Sequence, residues 1–252
     1  MPILSVRNIA VRFGGIVALD DVSFDIEPRQ IVGLIGPNGA GKTTLFNCLS
    51  RLYRPSAGSI LFEGRDLLQA PPHRIAGLGI GRTFQNLALF GSMTVLDNVM
   101  VGAHCRTRSG FLANALRLPG VFREEQTQKS AAVEVIRFLG LEDIAEVPTA
   151  GLPFATLKRV EAARALAARP KLLLLDEPAG GLNHEEVETL GRLIRQLRDR
   201  LGVTILLVEH HMNLVMQVSD RVVVLDFGRR IAEGTPGEVQ RDPEVIKAYL
   251  GE

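Results

Sequence analysis

An α/β fold on a parallel sheet, with a helical lobe inserted into it, is what this sequence predicts, and three observations predict it. A buried apolar run, Gln30 to Ile35, passes straight into GPNGAGKTT and a helical stretch from about Thr44 to Leu52, a strand, glycine loop and helix unit. Three further aliphatic runs, Lys171 to Leu175, Val203 to Val208 and Arg221 to Leu225, are separated by helical patterns, as in parallel strands covered by helices on both faces. Between about Asn86 and Ala168 no such run occurs, while Glu125 to Leu139 sets Ala132, Val135, Ile136 and Leu139 at helical spacing.

At the amino end the pattern differs. Leu4, Val6, Ile9 and Val11, then Val22, Phe24 and Ile26, alternate with polar residues, which predicts half-buried strands, with Gly14 and Gly15 between them. The 252 residues, 46% hydrophobic and 23% charged, suffice for a full core in one or two lobes. A formal charge of +1 supplies no basic field for nucleic acid, so no nucleic-acid partner is expected. Cys48 and Cys105 are too few for a disulfide framework or a four-ligand metal site, and both are expected as reduced thiols. MPILSVRNIAVRFGG has no basic start, apolar run and cleavage site, and no aliphatic run approaches the roughly 20 residues that cross a bilayer. The chain is therefore expected in the cytoplasm, with any membrane role coming through a partner.

Gly36, Gly41, Lys42 and Thr43 fit GxxxxGK[ST], in which small residues let consecutive backbone amides turn inward around phosphate oxygens while a lysine adds a point charge. The following helix presents its positive end to the same anion. The loop Gly36, Pro37, Asn38, Gly39, Ala40, Gly41, Lys42, Thr43 and Thr44 is thus the expected nucleotide cradle, with Lys42 on the β and γ phosphates and Thr43 holding magnesium. LLLLDEP, Leu172 to Pro178, ends a buried strand in two carboxylates. Beside a phosphate loop, Asp176 is placed to order magnesium and its water, and Glu177 to act on the attacking water as general base or orienting group.

With AGGLN and VEHHM downstream of LLLLDEP, almost the whole chain resembles the ABC ATPase family. The resemblance implies a P-loop NTPase core with a parallel sheet, an amino-terminal antiparallel β subdomain and an inserted helical subdomain. The core would take residues 1–85 and 169–252, and the helical signature subdomain residues 86–168. It further implies that His210 contacts the γ phosphate, that Gln85 in GRTFQNLALF senses magnesium and links core to lobe, and that Phe13 in VRFGG stacks on adenine. Asn183 falls where the family has aspartate or asparagine in its dimer-contact loop. ATP and Mg2+ are the implied cofactors.

The family signature, usually LSGGQ, is altered. Here the stretch reads LPFATLKRVEAARALAARP, so Pro153 stands for serine, Phe154 and Ala155 for the glycines, and Thr156 for glutamine. Proline offers neither hydroxyl nor amide hydrogen, and alanine adds a methyl where close backbone approach is wanted. What survives is the amino end of a helix expected to begin near Thr156, with Pro153 tolerated nearby. Because one subunit's signature completes the partner's nucleotide site in this family, an asymmetric dimer is expected, with a competent phosphate loop and a reduced signature in this chain.

RTFQNLALFGSMTVLDNVMVG, residues 103–124, the LPF form of the signature, EHHM and LDFGRRIAEGTP resemble ATPase subunits of branched-chain amino acid importers, and the insertion the longer of that system's two ATPase types. The resemblance implies a second ATPase subunit, in a homo- or heterodimer, two membrane permease subunits, an external binding protein met only indirectly, and a peripheral place on the inner face of the cell membrane. A permease coupling helix would meet Gln85 to Val95, where Leu87, Leu89, Phe90 and Met93 are available or else are plain core. Residues 103–124 combine Arg106, Arg108, Arg117 and Arg123 with Phe111, Leu112, Leu116 and Leu118, which reads first as a solvated segment packed on its own lobe and second as a lipid or partner contact. Other small polar cargoes such as urea or amides, a regulatory subunit with little turnover, and a soluble mechanical ATPase are the alternatives.

Overall fold

The computed structural model describes residues 1–83, 87–107 and 119–250. The strands in chain order are β1 (Leu4–Phe13), β2 (Ile16–Ile26), β3 (Ile31–Ile35), β4 (Ala57–Phe62), β5 (Arg65–Asp66), β6 (Ile80–Arg82), β7 (Leu172–Asp176), β8 (Thr204–Val208), β9 (Arg221–Asp226) and β10 (Arg229–Gly234). The helices are α1 (Lys42–Leu49), α2 (Ile75–Leu78), α3 (Val95–Ala103), α4 (Pro119–Phe138), α5 (Phe154–Ala167), α6 (His184–Leu201), α7 (Met212–Val218), α8 (Pro236–Val239) and α9 (Pro243–Leu250). Two compact units result: Met1–Ile75 with Lys171–Glu252, and Ala76–Pro170. The first crossing thus lies between Ile75 and Ala76, earlier in the chain than the break near residue 85 drawn from the sequence.

In the first unit, β1 pairs antiparallel with both β2 and β4. The amino-terminal alternation puts Leu4 opposite Ile26, Val6 opposite Phe24 and Ile9 opposite Val22, so each pair buries its apolar members on one face. Gly14 takes the left-handed conformation that the turn between β1 and β2 requires. The second sheet runs β10-β9-β3-β8-β7. Here β3 lies between β8 and β9, parallel to both, and β8 is parallel to β7. All residues of β3, β7 and β8 are buried, which is why these strands are continuous apolar runs. Parallel pairing brings the carboxyl ends of β3, β7 and β8 to one edge, and with them the residues that follow: Gly36, Glu177 and Glu209.

The second unit packs helices. Gly102 of α3 approaches α5 so closely that a Cβ there would lie 1.9 Å from the Arg164 carbonyl oxygen, which only glycine accommodates. Thr94 and Asp97 form a reciprocal cap on α3. Asn98, fully buried, accepts from the Phe90 amide at 2.9 Å and donates to the carbonyls of Phe90, Met93 and Thr94, which pins the 90–94 turn. The helix expected over Glu125–Leu139 begins earlier, at Pro119. Among the described residues no helix is long and apolar enough to cross a membrane. Cys48 is buried, Cys105 half-buried, and both are free thiols.

Candidate active site

The phosphate loop joins β3 to α1. Gly36 is buried at φ 149°, and a Cβ there would lie 2.0 Å from the Leu225 carbonyl oxygen. Gly41, at φ 99°, caps α1 without a side-chain cap, and a Cβ would meet the Ala18 carbonyl oxygen at 2.6 Å. The first turn of α1 carries no acidic residue, so its unpaired amides and positive end are left for an external anion. Lys42 is buried, and its ammonium donates to the carbonyls of Gly36 at 2.7 Å and Pro37 at 2.9 Å. Burial lowers the Lys42 pKa, an effect opposed by the negative charge of Glu177. The loop is braced from outside by the turn between β9 and β10: the Gly228 amide donates to the Ala40 carbonyl at 3.1 Å, and the Asp20 amide to the Gly228 carbonyl at 2.8 Å. That turn lies in LDFGRRIAEGTP, to which the sequence analysis gives no role at the phosphate loop.

Asp176 ends β7 and is 4% exposed. Glu177 follows at φ 47°, a left-handed conformation that costs a non-glycine residue of the order of 1–3 kcal/mol and turns the chain sharply off the strand. The Glu177 amide donates to the Val208 carbonyl at 2.9 Å, extending the β7–β8 ladder past the strand end. Beyond β8, His210 Nε2 lies 2.8 Å from Glu177 Oε1. An ionised carboxylate only accepts, so the ring carries its proton on Nε2 in this pair. Glu209 between them is 3% exposed; one carboxylate oxygen accepts from the Ala179 amide at 2.5 Å, the other from the amides of His210 at 2.9 Å and His211 at 3.1 Å. Glu209 has no role among the sequence-based expectations; the available signal is a carboxylate directly after a fully buried strand.

Phe13 is 47% exposed at the end of β1. Its ring meets Tyr53 edge to face, centroids 5.2 Å apart, and Tyr53 is a neighbour that sequence reasoning had not paired with it. Asn38, Gly39 and Thr43 are exposed, while Pro37 and Thr44 are half-buried. The Thr43 hydroxyl and the Asp176 carboxylate are oxygen donors, the ligand type magnesium takes, and two protein oxygens suit an ion that keeps most of its shell for water and phosphate. Among the described residues no cluster of three His, Cys, Asp or Glu forms a dedicated metal cage. Gln85 lies outside the described residues, as do Arg108, Phe111, Leu112, Leu116, Arg117 and Leu118. Arg106 and Arg123 line a cleft within the helical unit, where Arg106 donates to the Ala168 carbonyl at 3.3 Å.

Asn183, expected in a dimer-contact loop, uses its side chain as a helix cap, accepting from the Glu186 amide at 3.0 Å while Glu186 accepts from the Asn183 amide at 2.8 Å. In the altered signature, Pro153 is the cap residue of α5 and the helix starts at Phe154, ahead of the Thr156 start expected; Pro153 is extended, at φ −54° and ψ 146°, and the helix follows directly. Thr156 is buried, on the stripe of α5 that includes Val160, Ala163 and Ala167. It is therefore a packing residue of its own helix, and its hydroxyl accepts from Arg159 at 3.4 Å.

A phosphate cradle, a carboxylate pair at the end of a buried strand and a histidine beyond the next strand together define an ATP-hydrolysing P-loop protein, and residues 19–180 match the ABC transporter family. The chain belongs to that family and is an ATPase. Residues 229–252 match the family described as branched-chain amino acid ATP-binding cassette transporter. The high-affinity branched-chain amino acid transport ATP-binding protein BraF of Pseudomonas aeruginosa is 43% identical over 251 residues, covering 100% of this chain and 98% of that protein. The protein of the same description from Escherichia coli, LivG, is 42% identical with the same coverage. Among solved structures, the ADP conformation of MJ1267, an ATP-binding cassette of an ABC transporter, superposes with a TM-score of 0.86 at 32% identity, covering 100% of each chain.

Proposed function

We propose that this chain powers an ABC importer for branched-chain amino acids, hydrolysing ATP at its own phosphate loop. The full-length likeness to two transport ATP-binding proteins of that description supports the cargo, and the 2.8 Å pair of Glu177 and His210 carries the assignment of the catalytic groups. The amides of Gly39, Gly41, Lys42, Thr43 and Thr44 wrap the phosphates, and the Lys42 ammonium moves from the carbonyls of Gly36 and Pro37 to the β and γ phosphate oxygens. Phe13 offers its exposed ring to adenine. Thr43, Asp176 and Gln85 would hold magnesium, which when bound would neutralise negative charge developing on the phosphates. Glu177 takes the proton of, or orients, the attacking water, and His210, whose Nε2 hydrogen meets Glu177 in the free chain, turns that hydrogen to the γ phosphate when ATP binds.

The partners are a second ATPase subunit, two permease subunits and, indirectly, an external binding protein, which keeps the chain on the inner membrane face. Leu87, Leu89 and Met93 are half-buried and Phe90 is 51% exposed, so the turn that Asn98 pins offers apolar side chains to a permease helix rather than consuming them as core. The signature of this chain contributes less to its partner's site than an LSGGQ does, because Pro153 and Ala155 remove a hydroxyl and a close backbone approach.

Uptake of labelled leucine, isoleucine and valine by cells lacking this subunit tests the reading. Restoration by the wild-type chain and not by Glu177→Gln supports importer, cargo and catalytic carboxylate together. No restoration by either, with the partners present, removes the cargo assignment; equal restoration by both moves hydrolysis to the partner ATPase.

A further inference from the structure

We propose that Glu209 is a positioning residue for hydrolysis: its buried carboxylate clips the loop after β7 to the loop after β8 and so sets Glu177 and His210 at working distance. The inference rests on the catalytic roles proposed for those two residues. The two loops leave neighbouring parallel strands, and the Glu177 amide still donates to the Val208 carbonyl past the end of β7. Beyond that bond the sheet no longer sets their separation, yet the catalytic pair needs its side chains within hydrogen-bond reach.

Glu209 supplies a cross-link made through backbone amides. Its side chain folds back along its own strand end, one oxygen collecting the two successive amides of His210 and His211. The other oxygen reaches across to the Ala179 amide, two residues beyond Glu177. Three amides converge on one carboxylate, and a carboxylate has acceptor sites for all of them and no donor to conflict. The strained backbone at Glu177 sits between two fixed points, its own bond to Val208 and the Ala179 anchor, which is the over-determination such a conformation requires. Both oxygens of the Glu209 carboxylate accept from backbone amides, so it acts through the pair.

A glutamine keeps the shape but not the function of the clip: whichever way the amide turns, its NH2 faces an N–H donor at one end. An alanine removes both ends. The test uses the assembled transporter in proteoliposomes, with kcat and KM for ATP measured for wild type, Glu209→Gln, Glu209→Ala and Glu177→Gln, and for the double variant Glu177→Gln/Glu209→Gln. Binding of a fluorescent ATP analogue is followed alongside. The expected result is a kcat lowered about tenfold or more for Glu209→Gln and further for Glu209→Ala, with KM and analogue affinity within about twofold of wild type, the split that a lost transition-state alignment gives. On the Glu177→Gln background, Glu209→Gln should lower the residual turnover no further, because the group it aims is gone.

Wild-type kcat for Glu209→Gln, beside an inactive Glu177→Gln, overturns the clip and leaves the catalytic reading intact. Full activity of Glu177→Gln overturns the catalytic reading itself. Loss of analogue binding in step with kcat for Glu209→Gln and Glu209→Ala overturns a positioning role in favour of a merely structural one.

Discussion

His210 Nε2 lies 2.8 Å from Glu177 Oε1, across two loops that leave adjacent parallel strands. A carboxylate that takes a proton from water must be aimed, and the contact with His210 is one that aims Glu177. Glu177→Gln keeps the size of the side chain and removes its basicity. ATPase turnover of the assembled complex should fall at least about 100-fold, the ordinary contribution of a general base, with ATP affinity unchanged within about threefold. Steady-state phosphate release and analogue titration on one preparation read both quantities. His210→Ala should lower kcat about tenfold or more, and the double variant should be no worse than Glu177→Gln alone, since the two act as a unit.

The phosphate loop depends on Gly36 for space as well as for conformation. Gly36→Ala would set a methyl 2.0 Å from the Leu225 carbonyl oxygen on a φ of 149°, so strand β9 and the loop must separate. A loss of about 2–4 kcal/mol in unfolding free energy is expected, with nucleotide binding reduced at least about 100-fold. Urea titration with and without nucleotide checks both, and wild-type stability in that variant contradicts the close approach.

How much of this was legible beforehand differs from element to element. β3, β7 and β8 are runs of apolar residues without a polar break, which only strands covered on both faces require, so the sheet and its loaded edge could be read directly. The GKT loop was equally plain because its glycines answer to sterics, as the contacts at Gly36 and Gly41 show. The bracing of Ala40 by Gly228, the Phe13 and Tyr53 contact and the return of Glu209 to three amides were not, since each joins residues remote in sequence or depends on how a loop bends after its strand. Thr156 is a different case: its spacing to Val160, Ala163 and Ala167 was readable as a packed stripe, and matching it to the signature glutamine hid that pattern.

Phe13 is exposed where it joins β1 to Gly14, and its ring meets Tyr53 edge to face. Phe13→Ala should weaken ATP about tenfold, in line with the ~1–3 kcal/mol that base stacking on an aromatic contributes, while Phe13→Tyr should restore it. GTP or CTP discrimination should change little, because a ring face does not read base edges. Fluorescence titration with the three nucleotides decides, and equal affinity for ATP in wild type and Phe13→Ala removes Phe13 from the site.

Burial pushes the Cys48 thiol up to about 11, so near pH 8 only about one molecule in a thousand carries its thiolate. Cys105 is also raised by burial but is half-buried rather than enclosed. A thiol reagent at pH 8 should therefore label Cys105 first and Cys48 only after unfolding by denaturant. Raising the pH toward 11 should speed labelling of Cys48 only if the site also opens, because its side chain is fully covered by the core. Mass-spectrometric mapping of labelled peptides against time separates the two.

The altered signature yields opposite expectations for its two neighbours. Ala155 is half-buried, in the first turn of α5, and Ala155→Gly restores the close backbone approach of a glycine at a cost of at most about 1 kcal/mol in helix propensity. Thr156→Gln forces a longer polar side chain into a buried stripe, where overpacking and an unpaired amide cost about 1–3 kcal/mol. If the reduced signature limits the partner's site, Ala155→Gly should hold or raise turnover of the assembled complex, with the gain appearing when the partner's own phosphate loop is intact and vanishing when that loop is disabled. Thr156→Gln should lower the melting temperature of the chain and show no gain. A large loss of turnover from Ala155→Gly at unchanged stability would mean that the LPFAT form is the fitted one for this assembly, and that its departure from LSGGQ is a specialisation rather than a weakening.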